Sequence, residues 1–295
     1  MSSPTARTGR LWVVATPIGN LGDLSQRARY VLSRAEVVLA EDTRRAGLLF
    51  QQLDIDPPHS FLSLHEHNES GRLRTVLAHL SQGRELALIS SAGTPLVSDP
   101  GYRLVRECHR QGFPVEPVPG PSAPMAALMA SGLPPQPHTF LGFMPRRQWE
   151  QRRLLSPFAE VRTTLIFFER KSRIRGTLKT AYDCLGAREV CLARELTKSH
   201  EEFILMLLGE WEKIPSEPRG EFTVLLGPPV KEAEPTPEHE VRQILEQELA
   251  RGDKPKRLAE RVVSRVRGWS KKGVYDLYLC ITDEDRANGS GGSKT

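Results

Sequence analysis

Four segments of small residues and prolines could bind a nucleotide through the peptide backbone. They are TPIGN (16–20), AEDTR (40–44), SSAGTPLVSDPG (90–101) and VPGPSA (118–123). Small side chains leave backbone N–H and C=O groups accessible, and these groups can hydrogen-bond a purine and a ribose without charged side chains. One such loop is explained equally well by a tight turn, whereas four in one chain favour a binding crevice.

The first loop departs from the standard phosphate-binding patterns. Gly19 and Gly22 give the spacing G-x-x-G, without the third glycine of a dinucleotide fingerprint and without the Gly-Lys-Ser/Thr of an ATP-binding loop. The glycines therefore do not identify the ligand by themselves.

The elements that position these loops alternate between strands and helices. Strands are predicted for 11–15 and 36–42, at the start of 85–101 and in 113–118, and helices for 24–35, 101–112 and the Ala/Met-rich stretch that ends at Gly132. This alternation predicts a parallel α/β layer whose function lies at the carboxyl ends of the strands.

A second α/β region is predicted after residue 145. Its strands are expected in 163–169, 188–198 and 220–227, and its helix in 173–186. The proline-rich stretch 133–145 before it is expected to be an interdomain linker or lid.

The C-terminal quarter is expected to be helical and basic. After the charged connector 228–240, helical spacing of apolar residues predicts amphipathic helices near 238–251 and 255–267, joined by RGDKP, and the tail 283–295 is expected to be disordered.

The positive charge is concentrated in three runs. The chain has 295 residues with a formal net charge of +5, and 146–153, 170–175 and 254–272 carry much of the excess. Each run alone is best explained as a solvated helix face, whereas three together favour a polyanionic partner.

The cysteines and the apolar runs bear on the compartment. Cys108, Cys184, Cys191 and Cys280 form no C-x-x-C pair, which favours reduced thiols in a cytoplasm over a zinc ribbon or disulfide framework. No apolar run approaches the roughly 20 residues that span a bilayer, so no membrane segment is expected. Residues 1–10 lack the apolar core of a signal peptide and are expected to be a frayed tail.

An ordered set of motifs resembles one enzyme family. VVATPIGNLGDLSQRA (13–28), AEDTRRAGLLF (40–50), HEHNE (65–69), SAGTPLVSDPGYRLV (91–105), VPGPSA, FLGFMPRR, LIFFE and ARELTK are similar to the bacterial small-subunit ribosomal RNA cytidine-2'-O-methyltransferases of the tetrapyrrole-methylase superfamily. The resemblance extends from about residue 10 to residue 228, and WSKKGVYDLYL (269–279) is similar to the C-terminal extension of that family.

The resemblance implies an α/β fold of two tetrapyrrole-methylase-type domains with the cofactor cleft between them, plus a small helical extension. We expect the domains over 10–132 and 133–228 and the basic helical extension over 238–282. The cofactor implied is S-adenosylmethionine, bound folded and not in the dinucleotide mode.

The resemblance also implies which residues contact the cofactor. From the first domain these are Ile18, Gly19, Ala92, Gly93, Thr94, Val97, Ser122 and Ala123. From the second domain, where strand alignment and not identity of residues is the guide, these are Glu169, Leu196, Glu221 and Phe222.

Ser91 departs from the family pattern. Relatives commonly have Asp at this position of the SSAGTP motif. We expect that the Asp caps a turn, a role that Ser can fill; the alternative is that it holds or deprotonates the substrate.

Methyl transfer to a ribose hydroxyl requires an in-line geometry and help in removing the hydroxyl proton. We expect Glu41, Asp42 and Arg44 to organise the acceptor ribose, with Glu66 and Lys198 as weaker candidates. Asp42 could instead be a helix N-cap. No metal site is expected, because His65 and His67 lack identifiable further ligands.

The partner implied is 16S rRNA in the small ribosomal subunit. The basic second C-terminal helix suits the RNA backbone, although a packed appendage with solvated charges explains it equally well. A homodimer is expected by resemblance. Two alternatives remain open: a corrinoid C-methyltransferase, and a non-catalytic ribosome-associated RNA-binding protein.

Overall fold

The computed structural model describes residues 9–215, 218–229, 235–249 and 255–289, with side chains described up to residue 282. The chain forms two compact units, Met1–Pro229 and Val230–Thr295. The N-terminal tail up to residue 8, most of the connector at 230–234, the helix junction at 250–254 and the last residues, 290–295, lie outside the described residues.

A fully parallel five-stranded sheet forms the first half of unit 1. Its strand order is β3-β2-β4-β1-β5. The strands are β1 (Arg10–Val14), β2 (Val37–Ala40), β3 (Ser60–Ser63), β4 (Glu85–Ile89) and β5 (Val115–Val118). The helices are α1 (Gln26–Arg34), α2 (Thr43–Gln52), α3 (Glu69–Ser81), α4 (Tyr102–Gln111) and α5 (Ala123–Ala130). The predicted parallel α/β layer is confirmed.

The register of this sheet brings its five carboxyl ends to one edge. Val14 lies opposite Ile89 and Val118, and Ala40 lies opposite Ile89 and Ser63. The loops that follow these residues therefore begin side by side, as the parallel layer requires.

The second half of unit 1 contains a mixed sheet of order β6-β7-β10-β8-β9. Its strands are β6 (His138–Phe143), β7 (Thr164–Arg170), β8 (Glu189–Arg194), β9 (Glu202–Leu207) and β10 (Glu221–Leu226), and its helices are α6 (Gln148–Leu155) and α7 (Ile174–Leu185). Only β6 and β7 pair in parallel, while β10 pairs antiparallel with β7 and β8. Because β10 runs antiparallel to β7 and β8, its first residues lie beside the last residues of those two strands.

The expectation that 133–145 is a linker or lid is wrong. Residues 138–143 form β6, the edge strand that pairs with β7, with an irregularity between Phe140 and Phe143. The prolines flank this strand and do not interrupt it, and an edge strand tolerates the bulge at Gly142, whose φ is +70°.

Unit 2 is a helical bundle of α8 (Glu238–Leu249), α9 (Pro255–Arg265) and α10 (Lys271–Gly289). Val241, Leu245, Leu258 and Val262 are buried in its core, which confirms the two predicted amphipathic helices. The tail expected to be disordered is helical in its first part, because α10 continues through 283–289. No helix among the described residues is long and apolar enough to cross a membrane.

Arg188 is an arginine with no exposed surface, and it closes one end of the second sheet. Its guanidinium donates to the carbonyl oxygens of Phe158 (2.7 Å), Ala159 (2.6 Å), Gly227 (3.2 Å) and Leu185 (3.4 Å). Burial lowers the pKa of Arg188. The side chain therefore satisfies carbonyl groups that would otherwise be buried without donors.

Arg188→Met is expected to lower the free energy of unfolding by about 2–4 kcal/mol, because it leaves several buried carbonyls unpaired. Chemical denaturation measures this change. Arg74→Met, at an exposed position on α3, is the matched control and should change stability by less than about 0.5 kcal/mol. Equal effects of the two substitutions would contradict the structural role of Arg188.

Candidate functional site

A cleft of about 510 Å³ lies between the carboxyl edge of the first sheet and the second sheet. Ile18 and Ala92 line it from the first sheet. The ends of β7 and β8 and the start of β10 line it from the second, through Phe168, Glu169, Arg170, Lys171, Ser172, Ala193, Leu196, Lys198, Gly220, Glu221, Phe222 and Thr223. The structure therefore brings residues predicted from both domains to one cleft.

A smaller cavity of about 190 Å³ adjoins this cleft. The two share Ala92, Phe143 and Phe168. The other lining residues are Ser91, Gly93, Thr94, Val97, Ser98, Asp99, Ser122, Ala123 and Pro124. Of the twelve predicted cofactor contacts, only Gly19 does not line either cavity.

Hydrogen bonds to backbone groups hold the loops after β1, β4 and β5 together. Thr16 and Gly93 exchange N–H···O bonds of 2.9 and 3.0 Å, and the Thr94 hydroxyl donates to the Pro121 carbonyl at 2.9 Å. Gly93 has a φ of +83°, and a Cβ there would lie 3.2 Å from Ile18 Cγ2. The positive φ favours glycine at this point, and the Ile18 side chain would have to shift slightly to admit a Cβ.

Unusual backbone conformations are concentrated in the loops beside the cavities. Leu96 and Ser98 have φ values of +70° and +66°, and Glu195 and Thr197 have +51° and +64°. Among the described non-glycine residues, only Asp54 shares this conformation. Such strain persists where the surrounding structure enforces it, and it is typical of functional sites.

Gly19 is the point at which the first loop meets the loop after β8. A Cβ on Gly19 would lie 2.6 Å from Lys198 Cγ, 2.8 Å from Thr197 Oγ1 and 2.9 Å from the Leu196 carbonyl oxygen. Because real Cβ atoms do not approach backbone this closely, only glycine permits the contact. Gly19 thus sets the approach of the two walls and does not line the cleft itself.

Gly19→Ala is expected to displace residues 196–198 and to weaken binding of S-adenosylmethionine, the ligand expected from the sequence, at least about tenfold, since small displacements at a site are costly. Calorimetry measures this affinity. Gly47→Ala is the control, because a Cβ at this α2 position meets no atom within 4 Å. Equal affinities of the two variants would show that the approach at Gly19 is not required.

Glu169 lies at the wall of the cleft, but its carboxylate is already committed to the protein. Its side chain is fully buried, with Arg173 Nη2 at 2.6 Å, the Thr177 hydroxyl at 2.5 Å and the backbone N–H of Arg170 at 2.6 Å. These contacts fix the end of β7 and so shape the cleft.

Lys198 pairs with two carboxylates, one just after the end of β8 and one at the start of β10. Its ammonium contacts Glu221 at 2.9 Å and Glu195 at 3.3 Å. The backbone N–H of Glu221 donates to Glu195 at 2.8 Å and lowers the pKa of that carboxyl. Lys198 therefore lines the cleft, whereas the other acceptor candidates Glu41, Asp42 and Arg44 do not.

Two aromatic side chains form an apolar wall that the sequence analysis missed. Phe143 and Phe168 line both cavities, with ring centroids 5.1 Å apart, and Phe143 is 60% exposed. The exposed aromatic residue in the FLGFMP motif was the available signal, but it fell in a stretch expected to be a linker.

A broad, open basin of about 610 Å³ lies beside the smaller cavity. Glu41, Asp42, Thr43, Arg44, Arg45, Ser63, His65, His67 and Ser91 line it. The structure therefore places Glu41, Asp42 and Arg44 together, and Ser91 borders both the basin and the smaller cavity. No group of three or more potential metal ligands occurs among the described residues.

Asp42 has the capping geometry that the sequence allowed as an alternative. Its carboxylate accepts from the backbone N–H groups of Arg44 (2.9 Å) and Arg45 (3.3 Å) at the start of α2. These bonds lower the pKa of Asp42, so it is a weak proton acceptor. The Arg44 side chain is 90% exposed and faces solvent.

The turn-stabilising hydroxyl of the third loop belongs to Ser90. The Ser90 hydroxyl donates to the Gly93 carbonyl at 2.9 Å. Within the described part of the chain, the Ser91 side chain has no hydrogen bond. Ser91 therefore does not cap the turn as expected.

Asp99 is an ionisable group of this site that the sequence analysis missed. It lines the smaller cavity. Burial, and then the negative charge of Glu41, raise the pKa of Asp99 from 3.8 to about 6. In the sequence Asp99 stands in SDPG, which is typical of an ordinary turn and gave no signal of a perturbed carboxyl.

The raised pKa of Asp99 predicts how the stability of the protein depends on pH. A carboxyl whose pKa is raised on folding contributes stability below its unfolded pKa and loses it as the pH rises through the folded value. Asp99→Asn should therefore raise the melting temperature relative to wild type at about pH 8 and much less at about pH 4. A melting-temperature difference that is the same at both pH values would contradict this assignment.

Comparison with known proteins gives a consistent set of relatives. Residues 10–212 match the family described as Tetrapyrrole (Corrin/Porphyrin) Methylases. The chain is 41% identical over 282 residues to Ribosomal RNA small subunit methyltransferase I of Micromonospora olivasterospora, covering 94% of this chain and 89% of that protein. It is 39% identical over 277 residues to the protein of the same name from Pasteurella multocida, covering 92% and 97%.

Solved structures show the same fold at lower identity. Uroporphyrin-III C-methyltransferase from Thermus thermophilus, complexed with S-adenosylhomocysteine, has a TM-score of 0.52 and 23% identity, covering 74% of this chain and 97% of that one. Diphthine synthase has a TM-score of 0.58 and 14% identity, covering 74% and 90%.

Proposed function

The chain belongs to the tetrapyrrole methylase family and, within it, to the small-subunit ribosomal RNA methyltransferases I; we propose on this premise that it methylates the ribose 2'-hydroxyl of a cytidine in 16S rRNA. The methyl donor is S-adenosylmethionine, and the target lies in the decoding region of the small subunit. The observation that carries this function is a nucleoside-sized cleft that a smaller cavity joins to an open, charged basin.

The residues of the cleft suit S-adenosylmethionine. The volume of about 510 Å³ falls within the range of small-molecule sites. Phe143 and Phe168 supply apolar surface, and the glycine-containing loops supply backbone groups, which together match an adenosine. When bound, the cofactor supplies a methyl group activated by a sulfonium.

We assign the cofactor-holding roles to the residues of both walls. From the first sheet these are Ile18, Ala92, Gly93, Thr94, Val97, Ser122 and Ala123, with Gly19 behind them. From the second these are Glu169, Leu196, Glu221 and Phe222.

The basin is the proposed site of the acceptor nucleotide. Glu41 and Arg44 face the ribose and its phosphates, while Asp42 acts by fixing the start of α2, which carries Arg44 and Arg45. The position of this basin beside the smaller cavity supports the transfer of a methyl group from one to the other.

The relatives favour RNA over a tetrapyrrole as the acceptor. Relatives about 40% identical over most of the chain carry the ribosomal RNA methyltransferase name, whereas the tetrapyrrole enzyme resembles this chain at 23% identity and supports the fold alone.

The decisive experiment measures labelled methyl transfer from S-adenosylmethionine to small ribosomal subunits that lack the modification, followed by nuclease mapping. One 2'-O-methylcytidine in the decoding region is expected. Transfer to a tetrapyrrole instead, with none to subunits or naked rRNA, would overturn the assignment.

Unit 2 is the proposed contact with the rRNA backbone. Lys256, Arg257 and Lys272 are exposed on its helices, and Lys and Arg neutralise phosphates without reading bases. The Glu248 carboxylate, 3% exposed, is paired with Arg261 at 2.8 Å and Arg265 at 2.9 Å, which holds α8 against α9.

The double substitution Lys256→Gln and Arg257→Gln should weaken subunit binding and reduce the slope of log K against log salt by about 2. Filter binding over a salt series measures both. Arg110→Gln, near the C-terminal end of α4 in unit 1 and paired with Glu107, is the control. An unchanged slope in the double variant would mean that these charges are only solvated.

A homodimer and a cytoplasmic location complete the proposal. Met125 and Met129 on α5 and Leu205 and Leu207 on β9 are 42%, 86%, 52% and 54% exposed. The end of α5 lies beside β9, since a Cβ on Gly132 would lie 3.8 Å from Leu205 Cδ2, and exposed apolar side chains on neighbouring elements support self-association. The cytoplasm is where the proposed substrate, the small ribosomal subunit, is assembled.

A further inference from the structure

We propose that Asp99 takes the proton from the acceptor ribose hydroxyl. The inference rests on the proposed function and names the proton acceptor of that reaction. It leaves Asp42 as the cap of α2.

Asp99 lies where the donor and acceptor regions meet. The cavity that it lines shares Ala92, Phe143 and Phe168 with the cofactor cleft, and it shares Ser91 with the acceptor basin. A proton acceptor for methyl transfer must reach the hydroxyl while that hydroxyl faces the methyl group. This boundary is the place where both conditions are met.

The loop before Asp99 holds it in this position. Leu96 and Ser98 adopt left-handed backbone conformations, and the Thr94 carbonyl accepts from the Val97 N–H at 3.4 Å. Two residues after Asp99 in the chain, Gly101 has a φ of +122°, and a Cβ there would lie 2.7 Å from Leu88 Cδ2. The loop is therefore confined on both sides of the carboxylate, which limits its freedom before substrate arrives.

The Asp99 carboxylate is available for chemistry. Within the described residues it has no hydrogen bond or ion pair, in contrast to Asp42, which accepts two backbone N–H groups. A free carboxylate can accept the hydroxyl proton, whereas a capping carboxylate would have to release the helix first.

The surroundings of Asp99 also make it a stronger base than an ordinary aspartate. Phe143 and Phe168 face its cavity from the second sheet, and Ser91 and Ser122 are neutral. Glu41, from the loop after β2, is the charged group that acts on it, and together with burial it raises the pKa of Asp99 to about 6. A base with a pKa near the working pH is both deprotonated and strong enough to assist.

The step balances in protons and electrons. The Asp99 carboxylate takes the 2'-hydroxyl proton as the ribose oxygen forms a bond to the methyl carbon. The bond between that carbon and sulfur breaks, and its electron pair remains on sulfur as a neutral thioether. Asp99 then releases its proton to water, so no oxidant or further reactant is needed.

The test compares Asp99→Asn with Asp56→Asn in single-turnover methyl transfer to small subunits. Asp99→Asn should slow transfer by about 10²–10⁴-fold while S-adenosylmethionine affinity stays within about threefold. Asp56 is exposed and precedes β3, so it lies near the amino ends of the parallel strands and not at the carboxyl edge that lines the cavities. Its variant should therefore transfer at the wild-type rate. A rate for Asp99→Asn within about threefold of wild type would overturn the proposal.

The pH profile separates a base from a structural residue. Wild-type single-turnover rates should rise with pH through about 6 and then level off, because only the ionised carboxylate accepts a proton. Glu41→Gln removes a neighbouring negative charge, so the midpoint of this rise should move to lower pH. A midpoint that stays in place, or a profile with no rise near 6, would contradict the assignment.

A measurement without turnover covers the case in which Asp99→Asn does not fold or bind cofactor. NMR titration of aspartate carboxyl carbons in the free protein should show one carboxyl titrating near 6 that moves down in Glu41→Gln. If no aspartate titrates there, the proposal fails. The proposed function is tested separately, because wild-type transfer to the mapped cytidine does not depend on which residue is the base.

Discussion

The contact between Gly19 and the loop at 196–198 is the constraint on which the site depends. In the loop after β1, the backbone at Gly19 lies so close to the Leu196 carbonyl and the Lys198 side chain that no Cβ fits there. This close approach, together with the packing of Ala127 and Leu128 of α5 against Ile166 and Leu225 of the second sheet, sets the distance between the parallel sheet and the mixed sheet. The cleft is the space left beside that contact, so a Cβ at Gly19 would change the approach of its two walls.

The two sheets contribute different chemistry to this space because their strands run differently. In the parallel sheet every carboxyl end reaches the same edge, where loops of small residues present backbone groups and a few fixed side chains. In the mixed sheet, the start of β10 lies between the ends of β7 and β8, so side chains such as Phe168 and Phe222 form an apolar wall. Polar backbone on one side and apolar surface on the other are what a nucleoside-like ligand requires.

Much of this arrangement is predictable from the sequence, and the rest fails for identifiable reasons. The buried run of β2 and the loops after β1 and β4 carry strong local signals, because apolar periodicity and small residues act within a few positions. The strand β6 was missed because flanking prolines dominate its local pattern, although strand pairing with β7 decides its conformation. The basicity of Asp99 could not be predicted, since it depends on burial and on Glu41, a residue 58 positions away in the chain. The placement of Glu41, Asp42 and Arg44 in one basin could be foreseen, but the capping bonds that occupy Asp42 require the actual geometry of α2.

The most direct test of a cleft closed by both sheets is hydrogen–deuterium exchange of the full chain with and without S-adenosylhomocysteine. The account predicts slower exchange in three separate segments: 91–97 from the first sheet, and 193–198 and 220–223 from the second. Slower exchange in 91–97 alone, with the two segments of the second sheet unchanged, would contradict the claim that the ligand is held between the two sheets.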